Sequence, residues 1–287
     1  MERIVFLNGL FMESRHARIS IHDRGFCYGD GLFETMRSYR GKIFHLDAHL
    51  DRLYRSMDLV YLKLPMTRGE LVSAFYETLA RNAFVVADAL IRLTLTRGEQ
   101  EFGLPIDPEI PPTVAIAAKL IQPLPEAWYR EGVKIFLFPQ SAHRISGVAG
   151  QVKSLNFLSN IIIRELAAKN QSMEGILVDH NNRVTEGAAS NIFLVKNGIL
   201  QTPRLNEFIL PGITRQAVLD LAKGHGIPCS EKDIAPEEVF GAAEVFLTNS
   251  RIEILPVRQA NEHRIGTGRA GEMTRFLHRE FRKVVEG

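Results

Sequence analysis

The sequence predicts an α+β protein of two domains. Three observations lead there. Hairpin signals are mixed with helical periodicities, without the regular strand–helix alternation of a doubly wound sheet. A proline- and glycine-broken stretch, "IQPLPEAWYREG", interrupts the chain near its middle. A length of 287 residues suffices for two domains, each with its own core. We expect a smaller α+β domain over 1–119, a linker over 120–132 and a larger α+β domain over 133–287 that carries Lys153.

The elements follow in order. "RIVFLNGLFME" is a hairpin turning at Asn8-Gly9, and "LFETMRSYRGKIFHL" is a second turning at Arg40-Gly41. "DAHLDRLYRSMDLV" is a helix with Leu50, Leu53, Met57 and Val60 on one stripe and Asp47 as N-cap. Thr67 to Arg81 is a further helix, and "ALIRLTLTRG" and "TVAIAAKL" are strands, being β-branched and apolar. Past the linker, "VKIFLFP" is a strand and Leu155 to Ala168 a helix. Hairpins turn at Asn181-Asn182 and at Asn197-Gly198. "ITRQAVLDLAKGHG" is a helix ended by glycine, "AEVFLTNS" and "IEILPV" are strands, and Thr274 to Val285 is the final helix.

Composition excludes several function classes. Hydrophobic residues at 45% and charged residues at 24% are the balance of a soluble globular protein. The net charge of +2, with no basic tract, argues against nucleic acid and leaves anionic small molecules open. Cys27 and Cys229 form neither a Cys-x-x-Cys pair nor a disulfide scaffold. With no signal-like start and no membrane-length apolar run, a cytoplasmic protein is expected.

Two motifs mislead. "GTGRAG" at Gly266–Gly271 has the letters of a dinucleotide fingerprint. The polar "ANEHR" precedes it in place of a buried strand, and too little chain follows for the βαβ unit. His45 and His49 stand four apart, but no third ligand lies at a recognisable spacing, so no metal site is expected.

The chemistry centres on "GVAGQVKSLNFLSNIIIREL". Lys153 follows Gly147 and Gly150 and precedes the apolar run of the expected helix, where Ser154 or Asn156 can cap. A helix N-terminus disfavours an ammonium, and small or apolar neighbours disfavour it further. An amine so placed suits nucleophilic chemistry, most often a Schiff base with an aldehyde cofactor. A pyridoxal phosphate site needs three further parts. Glu186 in "RVTEGAASNIF" offers a carboxylate to hold the pyridinium nitrogen protonated. "LPGITRQAVL" puts Gly212, Ile213 and Thr214 at a helix start, where free amides can cradle phosphate. Arg52 in "HLDRLYRS" and Ser250 in "FLTNSRIE" are candidates for further phosphate contacts. Taken singly, each is also what a surface turn or salt bridge would show.

The ordered segments "DRGFCYGDGLFETMR", "HLDRL", "KSLNFLSN", "VTEGAASNIFLVKNG", "LPGITR" and "EVFLTNS…PV" resemble the class IV pyridoxal phosphate transaminases, of fold type IV. That family holds branched-chain and D-amino acid aminotransferases and aminodeoxychorismate lyases, and the resemblance spans nearly the whole chain. It implies Lys153 as the Schiff-base lysine and Glu186 as the partner of the ring nitrogen. It implies Arg52, Ile213, Thr214 and Ser250 around the phosphate. It also implies a cofactor between the smaller and larger domains, and a homodimer that brings Tyr28 near the neighbour's site.

The departures bear on substrate. Branched-chain enzymes commonly carry tyrosine where this chain has Phe157, and "GTAAE" where it has "TNSRIE". D-amino acid enzymes place an arginine and a histidine after "TRG"; here the loop reads "TRGEQEFGLP", and Phe33 replaces one of their tyrosines. The lyases often have "TNS"-like segments and a Thr-x-Arg step such as Thr35-Met36-Arg37. Strand alternation puts Thr35 and Arg37 on the face of Phe33, and Arg92 on a polar face with Thr94 and Thr96. Arg37, Arg92 and Arg251 are the candidates for a substrate carboxylate. The expected function is transamination between an amino acid and a 2-oxo acid, of branched-chain or D-amino acid type. The alternative is an aminodeoxychorismate lyase releasing pyruvate and 4-aminobenzoate. A pyridoxal phosphate-binding protein without catalysis is the third reading, disfavoured because Lys153 and Glu186 are both intact.

Overall fold

Asn8 and Gly9 both adopt positive φ, 47° and 90°, as a tight two-residue hairpin turn requires, and fold β1 (Ile4–Leu7) onto β2 (Leu10–Glu13). The structure, a computed structural model, describes residues 2–139 and 151–287. Gly147 and Gly150, the glycines noted before Lys153, lie outside the described residues. A short helix α1 (Arg24–Tyr28), capped by Asp23, leads into β3 (Gly31–Tyr39), which turns at Arg40-Gly41 into β4 (Lys42–Ile43). Helices α2 (Leu46–Leu59) and α3 (Arg68–Arg81) precede β5 (Ala89–Thr96) and β6 (Thr113–Leu120). The sheet is antiparallel throughout, in the order β2-β1-β6-β5-β3-β4.

Period-2 alternation splits this sheet into two faces. Leu32, Met36, Ile91, Leu93, Leu95, Val114 and Ile116 pack against Leu50, Leu53 and Met57 of α2 and Leu71, Phe75 and Leu79 of α3. Phe33, Thr35 and Arg37 lie on the other face, where Phe33 pairs with Thr94 and Thr35 with Arg92. Thr67 forms a capping box with Glu70 at α3, as its position suggests. Asp47 does not cap α2. His45, at φ 47°, takes the N-cap without a side-chain bond, and Asp47 in the first turn instead binds Arg68 at 2.7 Å.

The second part of the chain begins with α4 (Glu126–Glu131), inside the stretch read as linker. It forms there because Trp128 and Tyr129 pack on the second core, and the Tyr129 hydroxyl donates to Ile252 O at 3.1 Å. There follow β7 (Val133–Pro139), α5 (Leu158–Lys169), β8 (Glu174–Val178), β9 (Val184–Gly187), β10 (Asn191–Lys196) and β11 (Ile199–Pro203). The chain ends with α6 (Ile213–Gly224), β12 (Cys229–Lys232), α7 (Pro236–Phe240), β13 (Glu244–Asn249), β14 (Glu253–Ala260), β15 (His263–Arg264) and α8 (Glu272–Glu286). Among the described residues the strands order as β12-β11-β10-β13-β14-β7-β8-β9, with β15 on β14. The pairs β11–β12, β14–β7 and β7–β8 are parallel, and the rest antiparallel. No helix of the described residues is long and apolar enough to cross a membrane.

The chain divides into two compact units, Met1–Gln122 with Val152–Asn156, and Pro123–Gln151 with Phe157–Gly287. Lys153 thus belongs with the first unit, whereas the sequence reading carried it with 133–287. The helix after it starts three residues later than expected, with Phe157 as N-cap and no side-chain cap bond. Ser154 and Asn156 do not cap it because they bond elsewhere. Ser154 bridges Leu32, and the Asn156 amide donates to Gly29 O at 3.1 Å.

The "GTGRAG" segment is a turn into α8, with Gly266 and Gly268 at positive φ. The helix end that a dinucleotide would need is occupied by Glu244, which accepts from Met273 N at 3.0 Å and from Thr274 N at 2.8 Å. Glu244→Ala should cost about 1–2 kcal/mol, as lost caps do, read as a lower urea midpoint with unchanged m. An unchanged midpoint would show that the cap contributes nothing.

Candidate active site

Lys153 is placed by backbone pairing. Phe33 N donates to Lys153 O at 2.9 Å, and Leu155 N donates to Gly31 O at 2.9 Å, so Val152–Asn156 lies along the start of β3. Gly31 permits this approach, since a Cβ there would stand 2.5 Å from Leu95 O and 2.7 Å from the Leu155 side chain. The Lys153 amine lies 4.5 Å from the centroid of the buried Phe33 ring, and the Arg92 guanidinium lies 3.5 Å from the same centroid. With the helix starting at Leu158, the dipole argument for Lys153 falls away. The Phe33 ring is one local influence on its amine.

Arg92 donates weakly to the Thr35 hydroxyl at 3.4 Å and has no carboxylate within ion-pair distance among the described residues. A pocket of about 220 Å³ opens beside it, walled by Val5, Leu7, Ile19, Ala115 and Ala117. The other candidate arginines differ. Arg37 is committed to Asp88 at 2.7 Å and lies over the Tyr39 ring, so it reads as structural. The Arg251 amide donates to Asn249 Oδ1 at 2.9 Å in an exposed turn. The Tyr28 hydroxyl accepts from Gly103 N at 3.2 Å, and Arg24 sits over its ring.

Arg52 is buried and fixed along one edge: Nε donates to Glu34 Oε1 at 2.8 Å and Nη2 to Glu34 Oε2 at 2.7 Å. His49 Nδ1 meets the same Oε2 at 2.8 Å, which makes it a satisfied core histidine. Burial pushes the Glu34 pKa up, but the Arg52 charge and the His49 contact outweigh it and hold the carboxyl at about 2. Burial lowers the pKa of His49. A neutral ring that meets a carboxylate must carry its proton on Nδ1.

In the second unit, Glu186 is the next-to-last residue of β9 and accepts at Oε2 from Leu210 N at 2.8 Å. Asn191 ties the same place together, its amide donating to Leu210 O at 3.0 Å and lying 3.5 Å from Glu186 Oε2. Gly212 lets this chain pass, because a Cβ there would fall 2.0 Å from Asn191 Oδ1. Gly212 caps α6 with no side-chain bond, so the first amides, at Ile213 and Thr214, have no helical acceptor. Asn249 accepts from Arg251 N and Ile252 N, shaping the turn that holds Ser250, and donates to Ala189 O at 2.8 Å. The buried Thr248 hydroxyl has no hydrogen-bond partner among the described residues.

These donors suit pyridoxal phosphate. In the first unit a buried guanidinium matches phosphate and an amine matches the aldehyde; in the second, taken by itself, a helix start without a side-chain cap matches phosphate and a held carboxylate matches the ring nitrogen.

Comparison with known proteins agrees. The family model of amino-transferase class IV matches residues 31–260. A putative branched-chain-amino-acid aminotransferase of Methanocaldococcus jannaschii is 36% identical over 98% of this chain and 96% of its own length. A D-alanine aminotransferase of Staphylococcus epidermidis is 31% identical over 98% of both. The crystal structure of the Escherichia coli branched-chain amino acid aminotransferase superposes with a TM-score of 0.93 at 28% identity, over 99% of this chain and 95% of that one. The chain belongs to the class IV aminotransferases, a family of enzymes that use pyridoxal phosphate, and its two-domain α+β fold is theirs.

Sequence reasoning missed Glu34, Asn191 and Leu210. Glu34 had a signal: it is a charged residue on the strand face shared with Leu32 and Met36. Leu210 had none, since it acts through its backbone amide. Glu34 also carries a pH dependence. A carboxyl depressed from 4.5 to about 2 contributes stability that is complete above pH 4.5 and is lost as pH falls toward 2. Wild type should therefore exceed Glu34→Gln in stability at neutral pH, with the gap closing as pH falls through that window. Urea melts at stepped pH test this, and a constant gap would place the effect in packing.

Proposed function

We propose that this aminotransferase uses pyridoxal 5'-phosphate, held by Lys153, Glu186, Arg52, Ile213, Thr214 and Ser250, to exchange amino groups between amino acids and 2-oxo acids. The observation that carries the reading is the pair of cations on the Phe33 ring. Lys153 offers an amine, and Arg92, within reach of the same ring, offers a guanidinium with no carboxylate at ion-pair distance among the described residues. An α-amino acid brings an amine-bearing carbon and a carboxylate to that place. A desolvated carboxylate needs a donor, and the planar fork of arginine can bond both oxygens. The apolar walls beside Arg92 and Thr94 suit an aliphatic side chain, in keeping with branched-chain or D-amino acid substrates.

Bound here, the cofactor supplies an aldehyde that condenses with amines and a ring that takes up the electron pair freed when the substrate Cα–H bond breaks. Lys153 holds the cofactor at rest. Once free, its amine would serve as the base that takes the proton from the substrate Cα and gives it back. Glu186, kept in place by Leu210 N and Asn191, holds the proton on the ring nitrogen. The amides at the α6 start, Ser250 and Arg52 hold the phosphate. Phe33 and Thr35 shape the carboxylate site. We further propose a cytoplasmic homodimer, with Tyr28 facing the partner's site. The exposed Ile21, Phe26, Phe102 and Leu104 support such an interface.

Lys153→Ala should lose both the borohydride-trappable visible absorbance and transamination while keeping its circular dichroism. Normal turnover by that variant would refute the assignment. Glu186→Gln should keep cofactor but lose on the order of 10²–10³-fold in rate, as when an electrostatic partner is removed at a reacting centre. Pyruvate release from aminodeoxychorismate with no amino transfer would instead mark a lyase.

Arg92→Leu should raise the Michaelis constant for amino acids far more than for a carboxylate-free amine. Equal effects on both would return Arg92 to the scaffold, and Arg251 would be tested next.

A further inference from the structure

Arg52 is not a lone cation. Glu34 takes the Nε–Nη2 edge of its guanidinium with two bonds, and His49, one turn earlier on α2, converges on the same carboxylate oxygen. All three residues are buried, at 4% exposure or less. Burying charge is costly, and an apolar trio would serve the core at least as well. Glu34 even interrupts the face on which Leu32 and Met36 pack. A planar fork held along one edge cannot rotate, so its remaining side keeps one direction.

We propose that Glu34, backed by His49, is a positioning residue: it locks the Arg52 guanidinium by its Nε–Nη2 edge and so fixes the orientation in which that guanidinium meets the cofactor phosphate. The inference rests on the Arg52 contact of the preceding reading. It also has a sign that a charge-balancing role lacks. Glu34 is ionised at neutral pH, and its negative charge alone repels phosphate. If it only balanced charge, neutralising it would tighten phosphate binding. If it positions Arg52, neutralising it loosens binding, because glutamine keeps one accepting oxygen and turns an NH2 donor toward the second guanidinium N–H, so the two-oxygen fork is lost.

The test titrates apo-protein with pyridoxal phosphate, and separately with pyridoxal, which lacks the phosphate. Arg52→Ala, Glu34→Gln, Glu34→Asp and His49→Phe are compared with wild type, and thermal melts confirm folding. Glu34→Gln and the shortened but charged Glu34→Asp should each weaken pyridoxal phosphate about tenfold, the scale of one misdirected charge-assisted bond. Pyridoxal binding should stay within about twofold. Arg52→Ala combined with Glu34→Asp should be no weaker than Arg52→Ala alone, as two residues acting through one contact require. Unchanged or tighter binding by both Glu34 variants overturns the proposal. If Glu34→Gln does not fold, Glu34→Asp and His49→Phe decide it, and normal affinity in both overturns it. Unchanged binding by Arg52→Ala would sink the Arg52 contact itself, an outcome distinct from failure of the Glu34 variants alone.

Discussion

The short backbone pairing between Val152–Asn156 and the start of β3 is the constraint on which the first unit's part of the site depends. Two hydrogen bonds of 2.9 Å, from Phe33 N to Lys153 O and from Leu155 N to Gly31 O, set where the Lys153 amine emerges. They require Gly31, because any side chain there would strike Leu95 O. They also explain why α5 begins at Leu158: the residues that might have capped it earlier are spent on β3 and on Gly29. A flexible side chain is thereby anchored at its base and delivered to an aromatic face.

Charge placement separates scaffold from site. Arg24 and Arg97 share Asp30, Arg37 has Asp88, Arg52 has Glu34, and Arg215 has Glu231. These buried arginines satisfy the rule that desolvated charge must be paired. Arg92 stands outside this set: it is exposed, lies over the Phe33 ring and has no carboxylate within ion-pair distance among the described residues. In the second unit the comparison is between two helix starts. That of α8 is filled by Glu244, whereas that of α6 is left without a side-chain cap. The α6 start therefore keeps amides that an anion can meet, whereas those of α8 are already taken by a carboxylate.

Much of this was legible in the sequence. Turn chemistry at Asn8-Gly9, Arg40-Gly41 and Asn197-Gly198 specified hairpins, and alternation along β3 and β5 put Thr35 opposite Arg92. These signals are local and depend on φ preferences and periodicity, which short stretches carry in full. The six ordered motifs identified the family, since joint occurrence is specific even where each motif is weak. Local signals also erred in understandable ways. Asp47 has the chemistry of a cap but found Arg68, and the proline-broken linker holds α4 because Trp128 and Tyr129 gain a core to pack on.

By itself, then, the sequence determined the hairpins, the amphipathic helices and the residue types from which the chemistry is built. Tertiary structure decided which of them are engaged. Arg37 and Arg92 are alike in alternation and type, yet Asp88, 51 residues further along, takes the first and nothing described takes the second. Glu34 and Arg52 stand 18 residues apart and meet only because β3 and α2 pack face to face. The Leu210 amide is invisible in any sequence, because every residue but proline carries one, and only the fold points it at Glu186. Propensity and period act over a few residues, whereas pairing of charge is settled by which surfaces the core brings together.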